Sequence, residues 1–443
     1  MNSKHLLLVL AAALSFSDCE SSFDVTIPSF PDGGLVRTGR PLSRDQLMLF
    51  EGMFDTKAGS KVFGNTMAVR TSPGTVSLLT DHHAAFAVTT TACLPDRRVV
   101  IEGYWRYPTE TDIGLVRLFV EPPEVAGELC DDMVPTATTA LKLVGNYGYN
   151  SDFPTNTFSL SWSRELIPWR GRFFTTAHHG ACENTDHCGT APNTLESIRL
   201  AERIGSNAAE VDVRMTRDGF PILFHDPGMS KSLVRGTFCN GQVPELSLAE
   251  IRGACEARYG ETIPTLEEAL DMMVNETELE AAYLDMKVPD AVLPAARLVA
   301  NLNAELEERN TNADMSDNRT FVAVVAITTD EVRDAWHAAK KTLTDEGLAV
   351  PPCLLEYDPD LVIEEGCVAW GPTWTKGPQP ENVAKVRAAG ARTVFWTINQ
   401  SEFIDEFLKT SHPDGIITAR AALLFHHYQT LGEPPPVLVR PTP

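Results

Sequence analysis

The chain has 443 residues, 43% of them hydrophobic and 22% charged, which excludes disorder as the dominant state and allows two or three domains with cores of their own. Its 37 basic residues against 60 acidic ones leave a formal net charge of −23. That balance repels phosphate backbones and anionic lipid surfaces, and argues against nucleic-acid binding. The acidic excess fits an exported, highly soluble protein or one that gathers divalent cations, and composition does not choose between them.

Lys4 precedes an apolar run from Leu6 to Phe16, followed by small and polar residues. This is the layout of a secretory signal over residues 1–17, with Ser15-Phe16-Ser17 as a small-x-small cleavage site. The run is shorter than the ~20 apolar residues of a spanning helix, and no other stretch approaches that length. No transmembrane segment is therefore expected, and a secreted, periplasmic or cell-surface protein is. Cys19 offers an alternative end to the signal, because a cysteine just after such a run resembles the lipidated residue of a bacterial lipoprotein, although Asp18 before it departs from that pattern.

Setting Cys19 aside, the other eight cysteines fall into sequence neighbours: Cys93–Cys130, Cys182–Cys188, Cys239–Cys255 and Cys353–Cys367. Each pair closes a short loop between predicted elements, the reason for choosing this pairing among 105, with buried free thiols as the alternative. The spacing of a structural zinc site is absent.

Residues 18–165 read as a β-rich domain of unknown role. From about Lys61 to Ser163, seven alternating, β-branched and aromatic-rich runs (KVFGNTMAVR, GTVSLLT, AAFAVTTTAC, RRVVIEGYWR, IGLVRLFVEP, ALKLVGNYGY, TFSLSWS) predict an antiparallel sandwich or barrel. Tyr104, Trp105, Tyr107, Trp162 and Trp169 are candidates for a sugar or lipid groove, with core packing as the competing expectation. His82 and His83 are expected as a surface pair in a turn.

From residue 171 to 430, strand-like runs alternate with helical ones, and no Gly-rich nucleotide loop opens the first helix. The pattern predicts a (β/α)₈ TIM barrel. Nine candidate strands compete for eight places, and VAWGPTW is expected to be the irregular one. A Pro-rich tail follows over 431–443.

In such a barrel the site forms at the C-terminal ends of the strands. Those ends carry His178-His179-Gly180, Glu210-Val211-Asp212, His225-Asp226 and Asp285-Met286-Lys287. Side chains alternate along a strand, so Glu210 and Asp212 share a face, as do Asp285 and Lys287, while Val211 and Met286 face the opposite layer. Three carboxylates suit a hard cation such as Mg²⁺ or Ca²⁺, Lys287 suits a phosphate oxygen, and two histidines suit general acid–base transfer: the equipment for phosphodiester hydrolysis.

These motifs resemble those of the glycerophosphodiester phosphodiesterase family over Phe173 to about Leu424. Its His-Arg-Gly is met by His178-His179-Gly180, its Pro-Glu-Asn-Thr by Ala191-Pro192-Asn193-Thr194, and its Glu-x-Asp by Glu210-Val211-Asp212. Its Thr-x-Asp-Gly and His-Asp run is met by Thr216 to Gly219 and His225-Asp226. Ile263-Pro264-Thr265-Leu266-Glu267-Glu268, Trp396-Thr397-Ile398-Asn399 and Asp414 to Thr418 complete the match. The resemblance implies His178 and His225 as the acid/base pair, Glu210, Asp212 and Asp285 as ligands of one divalent cation, and a small-molecule or lipid-derived phosphodiester as substrate. His179, Lys287 and Trp396 are implied in phosphate and substrate binding, and Pro227 to Glu261 as a lobe over the pocket. The chain departs from the family at His179, where arginine is usual, at Pro192 in place of glutamate, and at Asp285, usually glutamate. The Asp-x-Lys strand resembles sphingomyelinase D-type phospholipases, so a phospholipase D-like enzyme acting on lysophospholipid or sphingomyelin head groups is an alternative, as is a catalytically weakened binding protein.

Overall fold

The structure is a computed structural model that describes residues 25–133, 141–183, 188–312 and 320–431. The expected signal, Cys19 and all but the first residue of the Pro-rich tail lie outside the described residues.

The first unit is built from β1 (Arg40–Pro41), β2 (Gly52–Ala58), β3 (Thr66–Ser72), β4 (Thr75–Leu79), β5 (Phe86–Cys93), β6 (Val99–Arg106), β7 (Ile113–Glu121), β8 (Lys142–Tyr147) and β9 (Asn156–Arg164). Strands β2 to β9 pair antiparallel with their chain neighbours, and β9 returns to β2, which closes an eight-stranded up-and-down barrel; β1 adds to the end of β5. An eight-stranded barrel is just wide enough for side chains to fill. Phe54, Phe63, Met67, Leu78, Trp105 and Phe158 do so here, each essentially inaccessible to solvent. Trp105 is therefore core rather than groove, its indole N–H donating to the Gly148 carbonyl at 2.9 Å. Tyr107 is buried with its hydroxyl on the Val62 carbonyl. The closing strand β2 is missing from the seven expected runs, and the expected strand from Lys61 begins instead with a helical turn, Ser60–Phe63. His82 and His83 share a single 3₁₀ turn, His83 exposed and His82 half-buried.

The second unit contains β10 (Phe174–Ala177), β11 (Ala208–Met215), β12 (Pro221–Leu223), β13 (Val234–Arg235), β14 (Glu256–Ala257), β15 (Ala281–Met286), β16 (Val322–Ile327), β17 (Cys353–Leu355), β18 (Ala369–Trp370), β19 (Arg392–Phe395) and β20 (Gly415–Thr418). Eight of these run parallel in the order β10, β11, β15, β16, β17, β18, β19, β20, and β20 pairs back to β10. Helices on the crossovers complete a TIM barrel. Phe174, Ala208, Tyr283, Val324, Leu354, Val394 and Ile417 fill its lumen.

The expectation about the ninth strand is corrected. VAWGPTW supplies β18, paired on both sides, and the run outside the barrel is FPILFHD, whose β12 pairs antiparallel with β11. Only five residues separate β11 from β12, enough for a hairpin but far short of the crossover that a parallel neighbour requires.

The outer face of the first barrel docks on the flank of the second. Met53, Ala68, Leu79, Phe86 and Val88 join one core with Ile198 and Ala201 of the helix Leu195–Arg203, its C-cap Ile204, and Ala421 and Phe425 of the helix Ala421–Gln429. Arg70, 2% exposed, donates to the Ser206 carbonyl at 2.6 Å and lies 4.3 Å over Trp169, a residue of the connector rather than of the β domain. Arg44 with Glu278 and Arg170 with Glu51 add ion pairs at 2.7 and 2.9 Å.

The four expected cysteine pairs are disulfides in the structure. No helix of the described residues is long and apolar enough to cross a membrane.

Candidate active site

The mouth of the parallel barrel collects the polar residues at its strand ends. In β11, Ala208 faces the lumen, so Glu210 and Asp212 two and four residues on face the mouth, and Tyr283 places Asp285 and Lys287 likewise. Val211 and Met286 are buried in the outer layer against the helices. One oxygen each from Glu210, Asp212 and Asp285 lies within 4.8 Å of the other two, a spacing that suits a cation bound at the 2.0–2.6 Å of Mg²⁺ or Ca²⁺.

Each carboxylate is held. The His179 backbone N–H donates to Glu210 Oε2 at 2.9 Å. Asn193 clamps Asp212 twice: its Nδ2 donates to Oδ2 at 2.6 Å, and its Oδ1 accepts from the Asp212 N–H at 3.0 Å. Lys287 Nζ is 2.5 Å from Asp285 Oδ2 and 2.9 Å from Asp212 Oδ1. Asp285 Oδ1 is buried with no hydrogen-bond partner.

The charges are unbalanced. Burial, with Asp212 and Asp285 adding repulsion, raises the Glu210 carboxyl well above its ordinary range. Burial also raises Asp285, with Lys287 opposing. For Asp212 burial acts upward too, but His179 and Lys287 outweigh it and hold the carboxyl low. Burial acts downward on Lys287, and the attraction of Asp212 and Asp285 overcomes it, so the ammonium stays charged. Three carboxylates facing one ammonium, with a buried acceptor unused, fit a divalent cation.

The histidines stand around this cluster. His178 Nε2 is 3.9 Å from Glu210 Oε2, and its Nδ1 is 3.7 Å from Glu183 Oε1. Glu183 in turn accepts from Asn399 Nδ2 at 2.9 Å; His178 first, then Asn399, lowers its carboxyl to about 2 against burial. His225 Nδ1 is 2.7 Å from Asp226 Oδ1, and its backbone carbonyl accepts from Arg214 Nε. The His179 ring stacks on His178 at 3.6 Å and lies 5.0 Å from that of His225. Burial pulls His179 down to about 3, against the attraction of Asp212. His179 adopts φ +52° and Gly180 φ +90°. A side chain on Gly180 would meet Ser197 Oγ at 2.3 Å, so this turn needs glycine.

The sequence profile of the glycerophosphoryl diester phosphodiesterase family matches residues 178–423, more than half of the chain. The Mycobacterium tuberculosis protein named "Probable glycerophosphodiester phosphodiesterase 2" is 30% identical over 52% of this chain and 83% of its own. The chain belongs to this family. The glycerophosphodiester phosphodiesterase of Caldanaerobacter subterraneus is 22% identical over 55% of this chain and 92% of its own. A solved phosphodiesterase from Oleispira antarctica, in complex with sn-glycerol-3-phosphate, is 19% identical over 58% of this chain and 98% of that one, with a TM-score of 0.43.

Two of the family motifs have a plain local role in this phosphodiesterase-family barrel. Thr194 and Thr265 are N-caps whose hydroxyls accept from the Ser197 and Glu268 N–H groups, which starts the helices at fixed positions under the mouth. The Glu261 carboxylate reaches the loop that holds Pro192, accepting from the Ala191 N–H at 2.7 Å and Thr194 Oγ1 at 3.1 Å. The lobe over the pocket has its own small core around Met229, Val234, Val243, Ile251 and the Cys239–Cys255 disulfide. Leu246 packs against that core, whereas Phe238 is 82% exposed. Trp396 follows β19, packs on the lumen cluster and donates from its indole to the Gly371 carbonyl at 2.7 Å.

Four residues at the mouth carry no role in the sequence reading: Glu183, Asn193, Asp226 and Glu356. Glu356 follows β17 on the face of lumen-filling Leu354, and burial, with Asp285 adding, raises its carboxyl to about 8. Alternation along PCLLEYD carries the signal for Glu356. Nothing local marks Glu183 as a neighbour of His178.

Proposed function

We propose that this phosphoric diester hydrolase cleaves glycerophosphodiesters to glycerol 3-phosphate and an alcohol, with His178 and His225 as the acid/base pair. The observation that carries the reading is the meeting, at one barrel mouth, of two histidines, each with Nδ1 beside a carboxylate, and a three-carboxylate cluster with a lysine. A carboxylate at Nδ1 favours the tautomer that leaves Nε2 facing the reacting groups. One histidine takes a proton from the attacking water as its oxygen bonds to phosphorus, and the other gives a proton to the leaving alkoxide as the ester P–O bond breaks. One water is consumed, and transfer of a proton from the first histidine to the second through solvent restores both. Glu210, Asp212 and Asp285 would hold one cation, Ca²⁺ or Mg²⁺, which supplies charge neutralisation of the phosphate when bound. Lys287 adds positive charge toward the non-bridging oxygens. His179, neutral, offers one hydrogen bond where arginine offers two. Trp396 forms a wall for the substrate.

A second reading keeps the fold and changes the substrate to a lysophospholipid or sphingomyelin head group. Its support is the Asp285-x-Lys287 strand, whose ammonium spans Asp285 and Asp212. The deciding experiment is a substrate panel, soluble glycerophosphocholine against lysophosphatidylcholine and sphingomyelin vesicles, run with each cation and with chelator. Choline release from vesicles alone would move the assignment to the second reading. Four disulfides fit an extracellular or periplasmic location.

A further inference from the structure

We propose that His179, Asp212 and His225 form a second cation site, suited to Zn²⁺, which shares Asp212 with the carboxylate site and switches the hydrolase off when filled. One ligand atom from each of the three lies within 4.8 Å of the other two, a group distinct from Glu210, Asp212 and Asp285. Asp212 has an oxygen for each side: Oδ1 is 2.9 Å from Lys287 Nζ, whereas Oδ2 is 3.3 Å from His179 Nε2. A carboxylate so placed bridges two ions.

The two imidazoles are prepared for ligation. His179 is 9% exposed and presents Nε2 to Asp212 Oδ2 at 3.3 Å. The Asp226 carboxylate at His225 Nδ1 leaves Nε2 of that ring to face an ion, the carboxylate–histidine arrangement that orients metal-bound histidines. The His225 side chain is 46% exposed, which gives an ion a way in and water a place to complete four-coordination. Two imidazole nitrogens and one carboxylate suit Zn²⁺, whereas Mg²⁺ and Ca²⁺ take oxygen sets. An arginine at position 179 would have no lone pair to offer. An ion on His225 Nε2 removes the lone pair that would carry a proton, so the inhibition, unlike the binding, rests on His225 being one of the acid/base pair.

The test uses the full chain in saturating Mg²⁺, titrated with Zn²⁺ by calorimetry and with Co²⁺ as a visible-absorption probe. One further equivalent of each should bind, and glycerophosphocholine turnover should fall in proportion to Zn²⁺ occupancy. His179→Ala and His179→Arg should each weaken Zn²⁺ at least tenfold; should neither fold, His225→Gln reads the same site. Unchanged Zn²⁺ affinity in the variants, or Zn²⁺ competing with Mg²⁺ for a single site, overturns the proposal. Full Zn²⁺ occupancy with undiminished turnover overturns the inhibition. Zinc binding as described in a protein that turns over no phosphodiester sinks the proposed function and leaves the site standing.

Discussion

The protein contains two closed eight-stranded barrels, and among the described residues the histidine and carboxylate clusters gather at the mouth of the second. In the first, hairpins reverse the chain at every strand, so strand ends of both polarities alternate around each rim. Its lumen is apolar from Phe54 through Trp105 to Phe158. In the second, crossovers make all eight strands parallel, so every C-terminal end opens on the same rim. Residues far apart in sequence, His178, Glu210, Asp285 and Glu356, are thereby delivered to one side. Direction of strands, rather than number or closure, decides which side chains gather on one rim.

The largest expected effect lies at that rim. His178→Ala or His225→Ala should lower kcat for glycerophosphocholine by ~10²–10⁴-fold, the usual weight of a general acid or base. Persistent turnover in the purified double variant would remove the histidines from the mechanism. Chelation should abolish turnover reversibly, with Ca²⁺ or Mg²⁺ restoring it and Asp212→Asn preventing the restoration.

In the other barrel, Trp105→Ala should cost about 3–5 kcal/mol of stability by opening a cavity, read by denaturant unfolding, with turnover per folded molecule unchanged. A fall in kcat at constant folded fraction would show that the two barrels are coupled in function. Between these extremes, Glu183→Gln should reduce kcat about tenfold with little change in KM if Glu183 orients His178. An effect on KM alone would assign Glu183 to substrate binding.

The smallest effect belongs to the seam between the barrels. The Glu51 carboxyl is lowered, with Arg170 and Thr71 outweighing burial, so its contribution is present above the unfolded value near 4.5 and is lost as pH falls through the folded one. Glu51→Gln should therefore destabilise the protein by about 1 kcal/mol at pH 7, the low value reflecting the half-open Arg170. The difference should shrink below pH 4.5, read by thermal melts of both proteins. A gap that widens in acid would contradict the pairing.

Much of this was legible in the amino-acid order. Alternation within AAEVDVRM and AAYLDMKV assigns Glu210, Asp212, Asp285 and Lys287 to one face, because the period of a strand is a local property. Thr194 and Thr265 announce their helices, since capping involves only the next three residues. The cysteine neighbours close short loops that any compact fold brings together.

What the order could not decide was which partners each strand has. FPILFHD and VAWGPTW look equally strand-like, and their roles depend on the hairpin that β12 makes with β11 and on β17 and β19 flanking Ala369–Trp370. Strand β2 becomes recognisable only as the piece that joins β9 and closes the first barrel. The burial that neutralises His179, and the closeness of Glu183 to His178 and of Asp212 to His225, likewise arise from chain segments that meet only on folding. Local periodicity determined which way each side chain points, whereas long-range pairing and desolvation decided what it points at.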